Sequence, residues 1–142
     1  MNMPRLLIAV VVGFIFIFAS DFLVHGIWLA PDYKATADLW RSDAEMQTRF
    51  AWMLTAQFVT ALVFVLIWAK GFAGRTLGAG ASFGFLMGLA LQTWAIVFYV
   101  VAPLPGVIAT KWFLSGLLQA ILLGVLVAAI YKSDARRVER GA

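Results

Sequence analysis

The chain has 142 residues, of which 63% are hydrophobic, 13% are charged and none is cysteine. Soluble domains are roughly half apolar and about a quarter charged, so this chain cannot cover a soluble core and its excess apolar residues must face lipid. The net charge of +4 forms no basic stripe with interleaved aromatics, which excludes nucleic acid as a partner, and the lack of cysteine excludes disulfides and thiolate sites.

Four apolar runs each reach the ~20 residues that a helix needs to cross the hydrocarbon core. Backbone polar groups in lipid must be satisfied within the segment, so each run is predicted to be a helix. The runs cover residues 6–29, 50–69, 77–102 and 107–131. The sequence therefore predicts an all-α integral membrane bundle of four transmembrane helices in one domain, 1–142. We expect the first run to be retained, because it is too long for a signal peptide and lacks a small-x-small cleavage site.

The first run contains Asp21 and, four residues later, His25, the only histidine of the chain. This spacing places both side chains on one helix face, one turn apart. In the outer loop, residues 30–49, we predict a short interfacial helix that Asp32 caps and that runs to about Trp40. Ser42 and Glu45 then have the spacing of a capping box, at the start of a helix that continues into the second span.

The basic residues indicate an orientation, because lysine and arginine accumulate on the cytoplasmic side of a membrane. Seven fall on one side in the predicted topology: Arg5, Lys70, Arg75, Lys132, Arg136, Arg137 and Arg140. Four fall on the other: Lys34, Arg41, Arg49 and Lys111. This bias predicts that both termini are cytoplasmic, and that the basic tail, 132–142, lies near anionic headgroups.

Small residues recur every fourth position in the last two spans, which the turn Pro103-Leu104-Pro105-Gly106 joins as a hairpin. The positions are Gly80, Gly84 and Gly88 in the third span, and Gly116, Ala120 and Gly124 in the fourth. Small residues let helices approach closely in lipid. We favour packing within the hairpin over docking of the glycine face onto another chain.

Polar residues occur in the outer half of every span, whereas the inner half is nearly pure hydrocarbon. They are Asp21, His25, Gln57, Gln92, Lys111 and Gln119. Placing such groups in a membrane costs free energy, so each is expected to have a structural or functional role. The reading we favour is structural: the groups hydrogen-bond one another, with Asp21 paired to His25 or Lys111. Alternatively, Asp21 and His25 handle a proton or cation, or are two ligands of a metal that a partner completes.

The sequence contains none of the common catalytic or cofactor motifs: it has no HExxH motif, nucleophile elbow, phosphate-binding loop or dinucleotide fingerprint. We predict that the protein is not an enzyme, and the sequence implies no cofactor.

Residues 21–46 carry a pattern that resembles one in uncharacterised small four-span bacterial inner-membrane proteins. It consists of Asp21, His25, Trp28, Tyr33, Thr36, Leu39, Trp40, Arg41, Glu45 and Met46. This resemblance implies a multi-pass protein of the bacterial inner membrane and no particular activity. The architecture is also similar to that of small multidrug-resistance transporters, which have an essential acid in the first of four helices. Asp21 would take that position, although those proteins are shorter, use a glutamate and lack a long charged first loop.

The sequence thus favours a non-enzymatic accessory or structural subunit of a larger membrane complex, with other membrane subunits or a second copy as partners. The alternative is a small homodimeric transporter, or a protein that handles protons or metal ions, using Asp21 and His25.

Overall fold

The computed structural model describes residues 1–73 and 75–131. Helix α1 spans Met3–Asp21 and continues as a π-helix over Phe22–Trp28. The following loop holds α2, Ala30–Ala35, a 3₁₀ turn, Ala37–Leu39, and α3, Asp43–Thr48. The remaining helices are α4, Phe50–Gly71, α5, Leu77–Val101, and α6, Gly106–Ile130. The described part of the chain contains no strand.

Four helical segments are long and apolar enough to cross a membrane. They are Met3–Trp28, Phe50–Gly71, Leu77–Val101 and Gly106–Ile130, with mean hydropathies of 2.7, 2.1, 1.8 and 2.4. The prediction of an all-helical chain with four candidate membrane spans is therefore confirmed. The predicted basic tail, 132–142, lies outside the described residues.

The helices pack as two pairs. Helices α5 and α6 form an extensive antiparallel hairpin, while α1 packs along α4 and also against α6. Helix α4 makes few contacts with α6 and still fewer with α5. The order around the bundle is therefore α4, α1, α6, α5. We call the end that contains Met3 and Ile130 the N-terminal end, and the end that contains α2 the loop end.

An aromatic core closes the N-terminal end. The Phe83 ring of α5 lies 4.8 Å from that of Phe64 and 5.6 Å from that of Trp68, both on α4. Trp68 is fully buried, and its indole Nε1 donates to the backbone oxygen of Tyr131 at 3.4 Å. The Tyr131 hydroxyl accepts from the backbone amide of Asn2 at 3.1 Å. These contacts join the start of α1, the end of α4 and the end of α6.

The α5–α6 hairpin is close enough to exclude side chains at several positions. A Cβ atom added to Gly84 would overlap the backbone oxygen of Ala120, and one added to Gly124 would overlap that of Gly80. Gly88 faces Ala120 in the same contact, and Gly116 faces the side chain of Gln92. A larger residue at Gly84 or Gly124 would therefore force the two helices apart.

The loop differs in part from the prediction. The capping box is confirmed: the Ser42 hydroxyl accepts from the Glu45 amide, and the Glu45 carboxylate accepts from the Ser42 amide. The role predicted for Asp32 is wrong, because Asp32 lies inside the first turn of α2 and its carboxylate binds Lys111 instead.

The two helices predicted around this loop are also shorter than expected. Helix α2 stops at Ala35, because the Thr36 hydroxyl donates back to the oxygen of Asp32 and accepts from Trp40 Nε1. The helix that starts at the capping box is interrupted at Arg49 before α4 begins.

Candidate functional site

Asp21, the last residue of α1, joins three helices at the loop half of the bundle. Its Oδ2 accepts from Gln57 Nε2 of α4, and its Oδ1 accepts from Gln119 Nε2 of α6, both at 2.7 Å. The second proton of the Gln119 amide is directed to the hydroxyl of Ser20, also at 2.7 Å. Because hydrogen bonds between membrane helices contribute about 0.6 kcal/mol each on average, this set supports the packing of α1 on α4 and α6.

Gln57 is the one buried polar residue in the described part of the chain, with 7% of its surface exposed. Its amide nitrogen binds Asp21, whereas its Oε1 is buried without a hydrogen-bond partner among the described residues. Turning the amide over would bring Oε1 against the carboxylate of Asp21. An unsatisfied buried acceptor costs about 1–3 kcal/mol, so a donor that reached this atom would be stabilising.

The π-helix displaces His25 from the position that an α-helix would give it. Within Phe22–Trp28 the backbone bonds reach back five residues, as in the bond from Leu29 to the oxygen of Val24 at 2.8 Å. A π-turn holds more residues than an α-turn, so the His25 side chain takes a different direction about the helix axis from the one that an α-helix would give it. No hydrogen bond joins His25 and Asp21, which are both described. Short π-helical segments are frequent at functional sites.

His25 binds Tyr33 of α2 instead, with 2.6 Å between Nδ1 and the phenol oxygen. The same oxygen accepts from Trp112 Nε1 of α6 at 2.7 Å. An indole N–H can only donate, so the proton of the Tyr33 hydroxyl is available to His25 Nδ1. Donation in this direction requires an imidazole with its proton on Nε2, and we expect this tautomer. It also ties α2 to both α1 and α6.

Lys111 contacts α2 and does not pair with Asp21. Its Nζ is 2.7 Å from Asp32 Oδ2 and 5.1 Å from the ring centre of Trp28. The expected pairing of Asp21 with His25 or Lys111 is therefore wrong, because each of these two groups has a closer partner in α2. Asp21 takes the amides of Gln57 and Gln119.

A cavity of about 320 Å³ lies between the α1–α4 pair and the α5–α6 hairpin. Its polar lining comes from all four long helices: Asp21, His25, Gln57, Thr60, Gln92, Ser115 and Gln119. Its apolar lining includes Ile17, Phe64, Leu91, Trp94, Trp112 and Leu123. Phe64 forms its floor toward the aromatic core, and the cavity opens between α4 and α5, where Thr60 and Trp94 are exposed.

Five of the six predicted polar residues thus line one cavity, and the sixth, Lys111, contacts α2 instead. Gln92 reaches the cavity from α5, where it fills the space that Gly116 leaves on α6. It has no hydrogen-bond partner within residues 1–73 and 75–131.

This geometry gives little support to the hypothesis that Asp21 and His25 are ligands of a metal ion. Both oxygens of Asp21 accept amide protons, and Nδ1 of His25 is bonded to Tyr33. In the described residues, no group of three histidine, aspartate or glutamate side chains could hold a metal ion. A metal at Asp21 and His25 would need further ligands from outside this part of the chain.

Sequence reasoning missed the part of the site that the loop contributes. Ser20, Trp94 and Trp112 were not among the predicted site residues, and Tyr33 was predicted only as part of the interfacial helix and of the pattern at residues 21–46. A usable signal was present, because Tyr33, Thr36 and Trp40 belong to the pattern at residues 21–46. In the structure these three are joined by ring contacts and hydrogen bonds.

Comparison with protein-family models, curated proteins and solved structures gives no match for this chain. Function is therefore argued from the geometry of the site.

Proposed function

We propose that the protein is a non-enzymatic four-span membrane protein that binds a small solute or ion in the cavity beside Asp21. This reverses the order of the two hypotheses drawn from the sequence. The observation that carries the proposal is a cavity lined by polar groups from all four long helices, Asp21 among them. Ligand sites in membrane bundles lie between helices and expose a few convergent polar groups on an apolar wall.

The proposal includes an orientation. The excess of lysine and arginine that the sequence predicts on the side of the termini supports cytoplasmic termini, which would place the cavity in the outer half of a bacterial inner membrane. The chain has no cysteine, so a single introduced cysteine can be labelled without ambiguity. Asp38→Cys should react with an impermeant maleimide added outside intact inner-membrane spheroplasts, and Arg75→Cys only after lysis. The opposite pattern would show that the orientation is inverted.

The binding function is tested by thermal unfolding of the purified protein in mild detergent. The protein is screened against small cations, anions and neutral solutes. A ligand present at 100 times its dissociation constant stabilises the folded state by about 2.7 kcal/mol. We expect at least one solute class to raise the unfolding temperature of the wild type, and Asp21→Asn to remove that increase. If every class shifts the two proteins equally or not at all, the proposal is wrong.

A second candidate is the accessory subunit favoured by the sequence, which one surface supports. Residues 41–53 are exposed throughout, and α3 makes few contacts with α4. Trp52, on α4, is 76% exposed. A photo-crosslinking residue at Met46 should then capture a partner subunit or a second copy in membranes, while the same residue at Leu86, on the far side of α5, should not. Extraction as a lone monomer without crosslinks would refute this role.

A further inference from the structure

We propose that the cavity binds a primary ammonium group carrying a small apolar substituent, with Asp21 as its counter-ion. The inference rests on the proposed function, because it names the chemistry of the solute. It is drawn from the charge of the cavity, from the balance of its hydrogen-bond donors and acceptors, and from its walls.

The charge of the cavity is not balanced within the described part of the chain. Asp21 lines the cavity and is bound by two neutral amides, those of Gln57 and Gln119. Lys111, on α6, is held by Asp32 at 2.7 Å. With the Tyr33 hydroxyl as donor to Nδ1, His25 is neutral. A carboxylate without a cationic partner inside a membrane bundle favours an occupant that brings a positive charge.

Several acceptors that line the cavity are not used by donors of the described residues. The amide protons of Gln119 are directed to Asp21 and Ser20, so its carbonyl oxygen remains. The Ser115 hydroxyl donates to the backbone oxygen of Lys111 at 2.7 Å, which leaves only its lone pairs. Gln92 lines the cavity, and its carbonyl oxygen can also accept. A primary ammonium group supplies three N–H donors and no acceptor.

The walls fit the rest of such a molecule. The rings of Trp94 and Trp112 lie 5.0 Å apart on the loop side of the cavity, and aromatic faces attract ammonium groups. Leu91 and Leu123 add apolar surface. A volume of about 320 Å³ is at the small end of ligand sites, so it admits an amine with one ring or a short chain. The opening between α4 and α5 allows such a molecule to enter from the lipid side.

The test uses three probes that share one apolar group: 2-phenylethylammonium, its N,N,N-trimethyl analogue and 2-phenylethanol. Binding is measured by isothermal titration calorimetry on the full chain in nanodiscs. The wild type should bind the primary ammonium about 10- to 100-fold more tightly than either analogue, as expected for lost charge-assisted hydrogen bonds. This comparison needs no variant and is unaffected by folding defects.

Three variants then assign the contacts. Asp21→Asn should weaken the binding of the primary ammonium by a similar factor. Gln92→Met should reduce the preference for the primary over the trimethyl compound, because it removes a carbonyl acceptor that lines the cavity. Thr55→Val is the matched control: Thr55 lies on the same helix as Gln57 but outside the cavity lining, and its hydroxyl donates to Ala51 of its own helix, so binding should be unchanged.

Equal binding of the alcohol, a trimethyl analogue that binds as tightly as the primary amine, or binding that Asp21→Asn leaves intact would each overturn the inference. So would an absence of binding by all three probes. If an anion or a neutral solute stabilises the protein in an Asp21-dependent manner while the ammonium does not, the proposed binding function stands and this inference alone fails.

Discussion

Nδ1 of His25 and the hydroxyl of Tyr33 lie 2.6 Å apart, and this side-chain hydrogen bond joins α2 to the first candidate membrane span. Tyr33 can donate to His25 because Trp112 already donates to its oxygen. The cap formed by α2 therefore depends on a phenol that is both acceptor and donor, and its removal has specific consequences.

Tyr33→Phe should destabilise the loop end. It leaves the Trp112 N–H and His25 Nδ1 without a partner, at a cost of about 1–3 kcal/mol in the free energy of unfolding. Hydrogen exchange measured by mass spectrometry should accelerate in α2 and not in the aromatic core near Trp68. Tyr99→Phe is the control, because Tyr99 is 51% exposed on α5. Equal effects of the two substitutions would contradict this role of Tyr33.

The histidine tautomer can be read directly, because the chain contains a single histidine. In a sample labelled with ¹⁵N-histidine, the NMR spectrum should show one protonated nitrogen, Nε2, and one unprotonated nitrogen, Nδ1, near neutral pH. Tyr33→Phe should remove this preference and mix the tautomers. A wild-type spectrum with the proton on Nδ1 would show that Tyr33 accepts from the imidazole and does not donate to it.

Alkaline pH should weaken the cap. Burial raises the pKa of the Tyr33 phenol above its ordinary value of about 10, and the carboxylate of Asp32 raises it further, whereas the hydrogen bond from Trp112 lowers it. The folded state therefore retains the phenol proton where the unfolded state has lost it, so stability declines as pH rises above about 10. Unfolding temperatures measured between pH 8 and pH 11 (about 10 being the ordinary tyrosine pKa) should fall less in Tyr33→Phe than in the wild type. An equal decline of the two unfolding temperatures would mean that a group other than Tyr33 causes the pH dependence.

Gly84→Ala should destabilise the α5–α6 hairpin, because its Cβ would overlap the backbone of Ala120. Overpacking of this kind costs about 1–3 kcal/mol. Gly78→Ala provides a matched comparison on the same helix, since its Cβ would meet only the Thr76 hydroxyl, at 3.7 Å. Thermal unfolding in detergent should separate the two variants. Similar stability would show that the hairpin can widen at little cost.

Lys111 and Asp32 should show a measurable coupling free energy in a double-mutant cycle. The two side chains are 25% and 21% exposed, whereas those of the Arg41–Glu45 pair, at 3.9 Å, are 60% and 53% exposed. Double-mutant cycles built from Lys111→Met with Asp32→Asn, and from Arg41→Met with Glu45→Gln, should give about 1 kcal/mol or slightly less for the first and nearly zero for the second. A larger coupling for the exposed pair would reverse this interpretation.

Composition and pattern were sufficient to predict the four spans and to select most of the polar residues around the cavity. Asp21, Gln57, Gln92 and Gln119 could be found because a polar group in an apolar helix is conspicuous, and its depth follows from the helical rise. The orientation of His25 could not be predicted, because a π-helix gives no signal in hydropathy. The partners of Lys111 and Tyr33 depend on how the loop folds back onto α6, and such long-range contacts leave no periodic trace in the sequence.

The aromatic core also bears on whether a bound solute can cross the membrane. Phe64 and Phe83, with ring centres 4.8 Å apart, seal the cavity on the side of the termini. Binding and passage would therefore be separate properties of this fold. A solute bound as proposed would reach Asp21 without disturbing the rings, but it could leave toward the termini only if the rings of Phe64 and Phe83 moved apart.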